Sequence, residues 1–193
     1  MSAENTYSDA PLLGDNLALD FINTEYVVEG KRHDCFIDDQ RVASWLIRVG
    51  LLTDLKDQQI PRGLLTEARE LRETARNVVN AAMNRVPVNL AVINRVLEVG
   101  RPIRKLEWDG DTQQFRVAVY QSAGCPSGLL WPIADALINL VTSDKFEYVR
   151  QCEAHDCILL FHDLSKSHRR RWCSMATCGN RMKVAAFRSR KKS

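Results

Sequence analysis

Four cysteines near the C-terminal end have the types and spacing for metal chemistry. Cys152 and Cys157 are separated by four residues, as are Cys173 and Cys178, and fifteen residues lie between the pairs. Zinc takes four tetrahedral ligands and binds thiolates well, and a gap of four lies within the range for paired ligands in structural sites. Each pair suits a tight turn that aims two sulfurs inward, and the connector closes a loop of reasonable size. A thioredoxin-like redox pair requires two intervening residues and a βαβ setting, neither of which is present. An iron–sulfur cluster has the same four-thiolate requirement, but zinc is the expected ion. His155, His162 and His168 lie close by and are expected at the surface, because four cysteines already complete the shell. Cys35 and Cys125 stand alone and read as ordinary buried or half-buried thiols.

The metal is also needed energetically. Residues 146–193 contain few large apolar side chains, too few to offset the entropy of folding a small module. Zinc binding contributes on the order of 10 kcal/mol in such modules.

Charge is distributed unevenly about this site. Residues 1–163 hold all 24 acidic side chains and 17 of the 27 basic ones, whereas residues 164–193 hold ten basic side chains and no acidic one. A solvated surface would mix its charges, so a segment of this kind points to a polyanion. The candidate nucleic-acid contacts are Arg169, Arg170 and Arg171 before the second cysteine pair, and Arg181, Lys183, Arg188, Arg190, Lys191 and Lys192 after it. A helix from Asn180 to Lys192 is expected, with Asn180 as its cap. Met182, Val184, Ala185, Ala186 and Phe187 are expected to turn inward. Trp172 reads as a core residue of the module. Elsewhere, Asp20, Asn23, Thr24 and Arg41 are candidate ligand-binding groups. Asp20 and Asn23 lie one helical turn apart and could share a pocket, but helix caps or hydrogen-bonded scaffold groups are the favoured reading of Asp20, Asn23 and Thr24.

The elements that position these groups form an α+β chain, predominantly helical, with a β-hairpin in the first domain and a small zinc module at the end. Leu17, Leu19, Phe21 and Ile22 make a short apolar segment read as helix, with Asp15 or Asn16 as cap. Residues 27–36 read as a loop. Asp38 and Asp39 precede an amphipathic helix that Gly50 ends. A longer helix spans Pro61 to Arg85, with Arg72 and Arg76 opposite its apolar face, and another spans Asn89 to Val99. Ile103–Trp108 and Gln114–Tyr120 alternate as the strands of a hairpin about Asp109–Thr112. Leu129–Val141 is a nearly all-apolar helix with Pro132 in its first turn. The domain boundary is placed at 142–145, giving domains 1–143 and 146–193, and short strands are expected at Phe146–Val149 and Ile158–Phe161.

The run F-H-D-L-S-K-S-H-R-R-R-W-C-S-M-A-T-C-G-N-R-M-K-V resembles the CGNR zinc finger, named for the tetrad Cys178-Gly179-Asn180-Arg181. The segment G-D-N-L-A-L-D-F-I-N-T, followed by Asp38 and A-S-W-L-I-R-V-G-L-L, is similar to the ABATE domain that usually precedes this finger. Together the two resemblances cover most of the chain. They imply zinc on the four cysteines, DNA binding by the finger, and a stress-induced transcriptional regulator of bacterial type.

The leading expectation is a zinc-dependent regulator that binds double-stranded DNA. Its N-terminal domain would sense a small-molecule effector, mediate homodimerisation, or both. Two alternatives stay open: a small-molecule-binding or enzymatic N-terminal domain with a structural finger, and a finger that binds RNA. No nucleophile triad, Gly-rich phosphate loop or carboxylate metal cluster is visible, so no enzyme is expected. No apolar stretch approaches the ~20 residues that span a bilayer, and no secretory signal is visible, so the cytoplasm is expected.

Overall fold

The computed structural model describes residues 10–28, 30–53, 60–120 and 124–191. The elements run α1 (Leu17–Ile22), β1 (Glu25–Val28), β2 (Lys31–Asp34), α2 (Asp39–Arg48), α3 (Leu64–Asn84), α4 (Ala91–Val99), β3 (Ile103–Asp109), β4 (Gln114–Tyr120) and α5 (Pro126–Val141). A 3₁₀ turn at Asp144–Tyr148 then leads to β5 (Val149–Gln151) and β6 (Leu160–His162). A π-type turn at Met175–Gly179 opens α6 (Asn180–Arg190). The strands form three separate antiparallel pairs, β1–β2, β3–β4 and β5–β6.

Helix α5 is the centre of the core and packs against α1, α3 and α4. Its Leu130, Ile133 and Ala134 are fully buried, as its near-continuous apolar sequence requires. Helix α1 is short but well terminated: the Asn16 side chain accepts from the backbone N–H of Ala18 at 2.9 Å and of Leu19 at 3.4 Å. Phe21, Phe36 and Trp45 meet at ring separations of 5.5–5.9 Å and join α1 to α2. The Asp38 cap of α2 is as expected, with its carboxylate accepting from the Arg41 N–H at 2.7 Å.

Several expectations are corrected. The segment read as a loop at 27–36 is mostly the β1–β2 hairpin, with Tyr26 opposite His33 and Val27 opposite Arg32. Among its described residues only Tyr26 is buried, and Gly30 (φ +74°) supplies a left-handed turn residue. Strand alternation is hidden because Arg32, His33 and Glu25 lie on a solvated ribbon. Helix α5 begins at Pro126 rather than Leu129, so Pro132 lies in its interior rather than its first turn and removes one helical hydrogen bond. The strands of the final segment lie two or three residues later than expected, because the Ser143 hydroxyl accepts from the Lys145 N–H and starts the 3₁₀ turn instead.

Arg72 and Arg76 are the largest departure. Both were expected on the solvent side of α3, and both point inward. The Arg72 guanidinium donates to both Asp34 oxygens at 2.7 Å and to Thr24 Oγ1 at 2.9 Å, and lies over the Phe36 ring. Arg76 donates to the carbonyls of Ile158 and Ile22 at 2.9 Å and of Glu25 at 3.3 Å. The two planar forks tie α3 to the β1–β2 hairpin, to the end of α1 and to Ile158.

The C-terminal segment is joined to this core by buried polar contacts. Asn23 is fully buried, and its amide donates to the Leu160 carbonyl at 2.8 Å and accepts from the Leu160 N–H at 3.0 Å. It serves the free edge of β6 as a strand neighbour would. His162 N–H donates to the Gly14 carbonyl one step further along, at 2.8 Å. Residues 1–9 and Lys192 lie outside the described residues.

Asn23→Ala should lower the unfolding free energy by about 2–4 kcal/mol, because both Leu160 backbone groups would lose their partner in a dry site. Denaturant titration of the zinc-loaded chain measures this. A second expectation concerns pH. Burial works against the Asp34 carboxylate, but hydrogen bonds from Arg72 and from the Phe36 N–H outweigh it and hold the carboxyl below the ordinary range. This contribution is complete above the unfolded value of about 4 and is lost as pH falls through the lower folded value. Arg72→Met should therefore destabilise by about 2–3 kcal/mol at neutral pH, and thermal melts should show the gap to the parent narrowing below about pH 4.

Candidate metal centre and basic helix

The first cysteine pair is built on the β5–β6 hairpin. Cys152 follows β5, and its N–H donates to the Leu159 carbonyl at 2.9 Å. Cys157 closes a turn by donating to the Ala154 carbonyl at 2.9 Å. Cys173 follows Trp172, and Cys178 lies in the π-type turn that leads into α6. That turn is tight because Gly179 has no side chain: a Cβ there would sit 2.6 Å from Met175 Sδ and 3.1 Å from Trp172 Cδ1. The glycine is required for close packing, since its φ of −60° is open to any residue.

The four sulfurs are buried and lie within 4.8 Å of one another. Two separations are 3.9 Å (Cys157–Cys173) and 3.5 Å (Cys173–Cys178). Tetrahedral zinc with Zn–S bonds of about 2.3 Å places its sulfurs about 3.8 Å apart, so the donor set fits one zinc ion. So many thiols in one place oppose joint ionisation. Neighbouring sulfurs, Cys152 first, push the Cys157 and Cys173 thiols up, while hydrogen bonds from Cys157, Cys173 and Cys178 hold Cys152 down. A bound dication removes that conflict and keeps all four as thiolates. Cys173 N–H donates to Cys152 Sγ at 3.3 Å, and Arg181 Nη2 lies 3.6 Å from Cys178 Sγ, donors of the kind that orient and stabilise ligating sulfur.

The sulfurs sit in a small apolar cluster with Ala154, Leu159 and Phe161. Tyr26 of β1 belongs to the same cluster, and Leu13, Val28 and Cys35 pack against it. Asp163 is fully buried and organises the connector, accepting from the N–H groups of Ser165 and Arg170 and from the Ser165 hydroxyl. His168 stacks on Tyr148 at 3.7 Å. No histidine joins the metal group among the described residues.

The basic residues divide into two sets. Arg170 is structural: it lies over the Phe161 ring at 4.3 Å, donates to the Cys173 carbonyl at 2.5 Å and to the Trp172 carbonyl at 3.0 Å, and pairs with Asp15. Arg181 pairs with Asp156 at 2.6 Å. Arg169, Arg171, Lys183, Arg188, Arg190 and Lys191 are exposed. Arg171 stacks on Trp172 and pairs with Glu153 at 2.6 Å. Helix α6 buries none of its residues. Of the expected inward stripe, Met182 alone packs against the metal cluster, while Val184 and Phe187 are exposed. Asn180 lies within the helical run and donates to the Ala176 carbonyl instead of capping a start.

The four candidate ligand-binding residues do not converge on a pocket. Asp20 accepts from the Gly14 N–H at 2.7 Å, Asn23 clamps Leu160, and Thr24 donates to the Phe21 carbonyl at 2.7 Å while accepting from Arg72. All three are scaffold groups. Arg41 lines a cavity of about 440 Å³ with Tyr26, His33, Trp45 and Arg48, and the other three do not line it. The burial of Asn23 and Arg76 had no sequence signal, since their partners are backbone atoms far along the chain.

Two family models match the chain. ABATE, described as "Putative stress-induced transcription regulator", matches residues 15–144, and the CGNR zinc finger matches residues 148–191. No curated protein matches it. Among the described residues, no helix is long and apolar enough to cross a membrane.

Purified protein should carry one equivalent of zinc per chain. Substituting any one of Cys152, Cys157, Cys173 or Cys178 by serine should reduce this to a small fraction, whereas Cys35→Ser and Cys125→Ser should leave it at one. Elemental analysis after desalting measures all six variants.

Proposed function

Starting from a chain that belongs to the ABATE family and ends in a CGNR zinc finger, we propose that it is a regulator that binds double-stranded DNA through the zinc module and α6. The observation that carries this reading is the exposed cation set on a metal-anchored helix. Lys183, Arg188, Arg190 and Lys191 form no ion pair among the described residues, and no acidic residue follows Asp163. Cations held on a rigid helix suit the evenly spaced phosphates of a duplex. Val184 and Phe187, exposed between these charges, supply apolar surface of the kind that contacts thymine methyl groups in the major groove.

In this reading the zinc acts structurally. It fixes the π-type turn, and the turn fixes the direction in which α6 leaves the body. Arg170 and Arg181 set the module's geometry, leaving the exposed Arg169 and Arg171 for phosphate contacts. The helical domain determines when binding occurs, by sensing a small molecule, by dimerisation, or by both. Its contact with the metal cluster through Tyr26 gives a physical route between the two parts. The protein acts in the cytoplasm, where duplex DNA is accessible in a bacterial cell.

Fluorescence anisotropy with the full zinc-loaded chain and labelled duplex DNA at 50 and 200 mM salt tests this. Affinity should fall with salt, and the double variant K183A/R188A should flatten the logarithmic slope by about two units with an unchanged melting temperature. Arg170→Ala should instead lower the melting temperature. Absence of binding at the lower salt by zinc-loaded protein would overturn the reading.

A further inference from the structure

The hairpin β3–β4 is amphipathic in a way that the monomer does not use. Its register pairs Arg104 with Val119, Leu106 with Val117 and Trp108 with Phe115. Cross-strand pairs share a face, and alternate pairs face the same way, so these six side chains form one surface. It is apolar except for Arg104. The opposite face carries Lys105, Glu107, Asp109, Gln114 and Arg116, with Ala118 among them and Ile103 beside Tyr120 at its end, and its polar groups are internally satisfied: Arg116 pairs with Glu107 at 3.2 Å, Tyr120 donates to Glu107, and Lys105 lies over the Tyr120 ring. Polar residues therefore already occupy the face that water requires. The apolar face has no comparable cover among the described residues: Leu106 and Phe115 are each 70% exposed, Trp108 58%, Val117 52% and Val119 59%.

We propose that this face is where two copies of the chain pair, ribbon against ribbon, about a two-fold axis. A lone two-stranded hairpin is marginal in water and requires an apolar face packed against something. The exposed area of the five apolar side chains is on the order of 600 Å² per protomer, at the upper limit of the largest patch on a typical monomer. Doubled, it is roughly 1,200 Å², the lower bound of a stable, specific interface. The chemistry selects the occupant. A nucleic acid would face a single cation, Arg104, which is too few for phosphate binding, and no row of like charge is present to recruit an acidic or basic partner. A second copy supplies matching apolar area and the same Trp108–Phe115 edge-to-face pair, whose centroids lie 5.2 Å apart. An isologous contact requires only that the patch be self-complementary. The inference does not rest on DNA binding, because pairing would occur in its absence.

Sedimentation equilibrium of the full zinc-loaded chain without DNA is the test. The parent should have the mass of two chains at about 50 µM. Leu106→Ser and Phe115→Ser should each weaken association about thirtyfold or more, as loss of a central anchor does, with zinc content and melting temperature after dissociation unchanged. Lys105→Ala, on the opposite face, should leave the mass at two chains. Amide hydrogen exchange of the parent gives a readout that needs no variant: dilution from 50 µM to well below the dissociation constant should speed exchange in β3 and β4 while leaving α5 protected. A parent that is monomeric at 50 µM would overturn the proposal, as would a dimer that both serine variants leave intact or one whose dilution leaves β3–β4 exchange unchanged.

Discussion

Asn23 and Leu160 lie 137 residues apart and exchange two hydrogen bonds in a fully buried site. Much of the structure depends on that contact. Strand β6 has one strand neighbour, β5, and its other edge would otherwise present unpaired backbone groups to an apolar surface. The Asn23 amide completes it, the Gly14 carbonyl continues it at His162, and Arg76 takes the Ile158 carbonyl beside it. Asn23 at the C-terminal end of α1, Gly14 ahead of its start and Arg76 of α3 thus hold the hairpin that carries Cys152 and Cys157.

The same constraint links the metal to the rest of the chain. A zinc module of this size has too little apolar area to fold unaided, and here it borrows from its neighbours. Tyr26 lies within the sulfur cluster, Val149 and Leu160 belong to the main core, and Arg170 reaches back to Asp15 and the Leu13 carbonyl. Matches to two family models that adjoin near residue 146 therefore coincide with a fold in which the two stretches share buried surface. A change at β1, whose hairpin lines the Arg41 cavity, is one side chain away from the sulfurs.

Burial separates residues that look alike in the sequence. Arg169, Arg170 and Arg171 are consecutive, yet Arg170 is consumed by an aromatic ring, three carbonyls and a carboxylate, while its neighbours remain exposed. In α3, Arg72 and Arg76 turn inward because hairpin β1–β2 and the end of α1 present acceptors there. Helix α6 shows the opposite: Val184 and Phe187 are expected to pack, yet both are exposed, and the helix is tied to the body at its start by Arg181 and Met182. An apolar spacing states which side chains share a face and does not say whether another element covers it.

The sequence by itself determined the metal site, the charge division and most of the helices. Each of these rests on local spacing: cysteine pairs that fit a knuckle, acidic side chains that end at Asp163, and apolar periods such as the one opened by Asp38 and closed by Gly50. It also placed β3–β4, because strict alternation and a polar turn are local signals. Tertiary structure alone decided that Asp20, Asn23 and Thr24 are scaffold groups rather than a pocket, that Arg170 and Arg181 serve the fold, and that β1–β2 is a ribbon on the metal cluster. The physical reason is common to these cases: the partners are backbone atoms or buried carboxylates brought near only by packing, and a backbone carbonyl has no letter in the sequence.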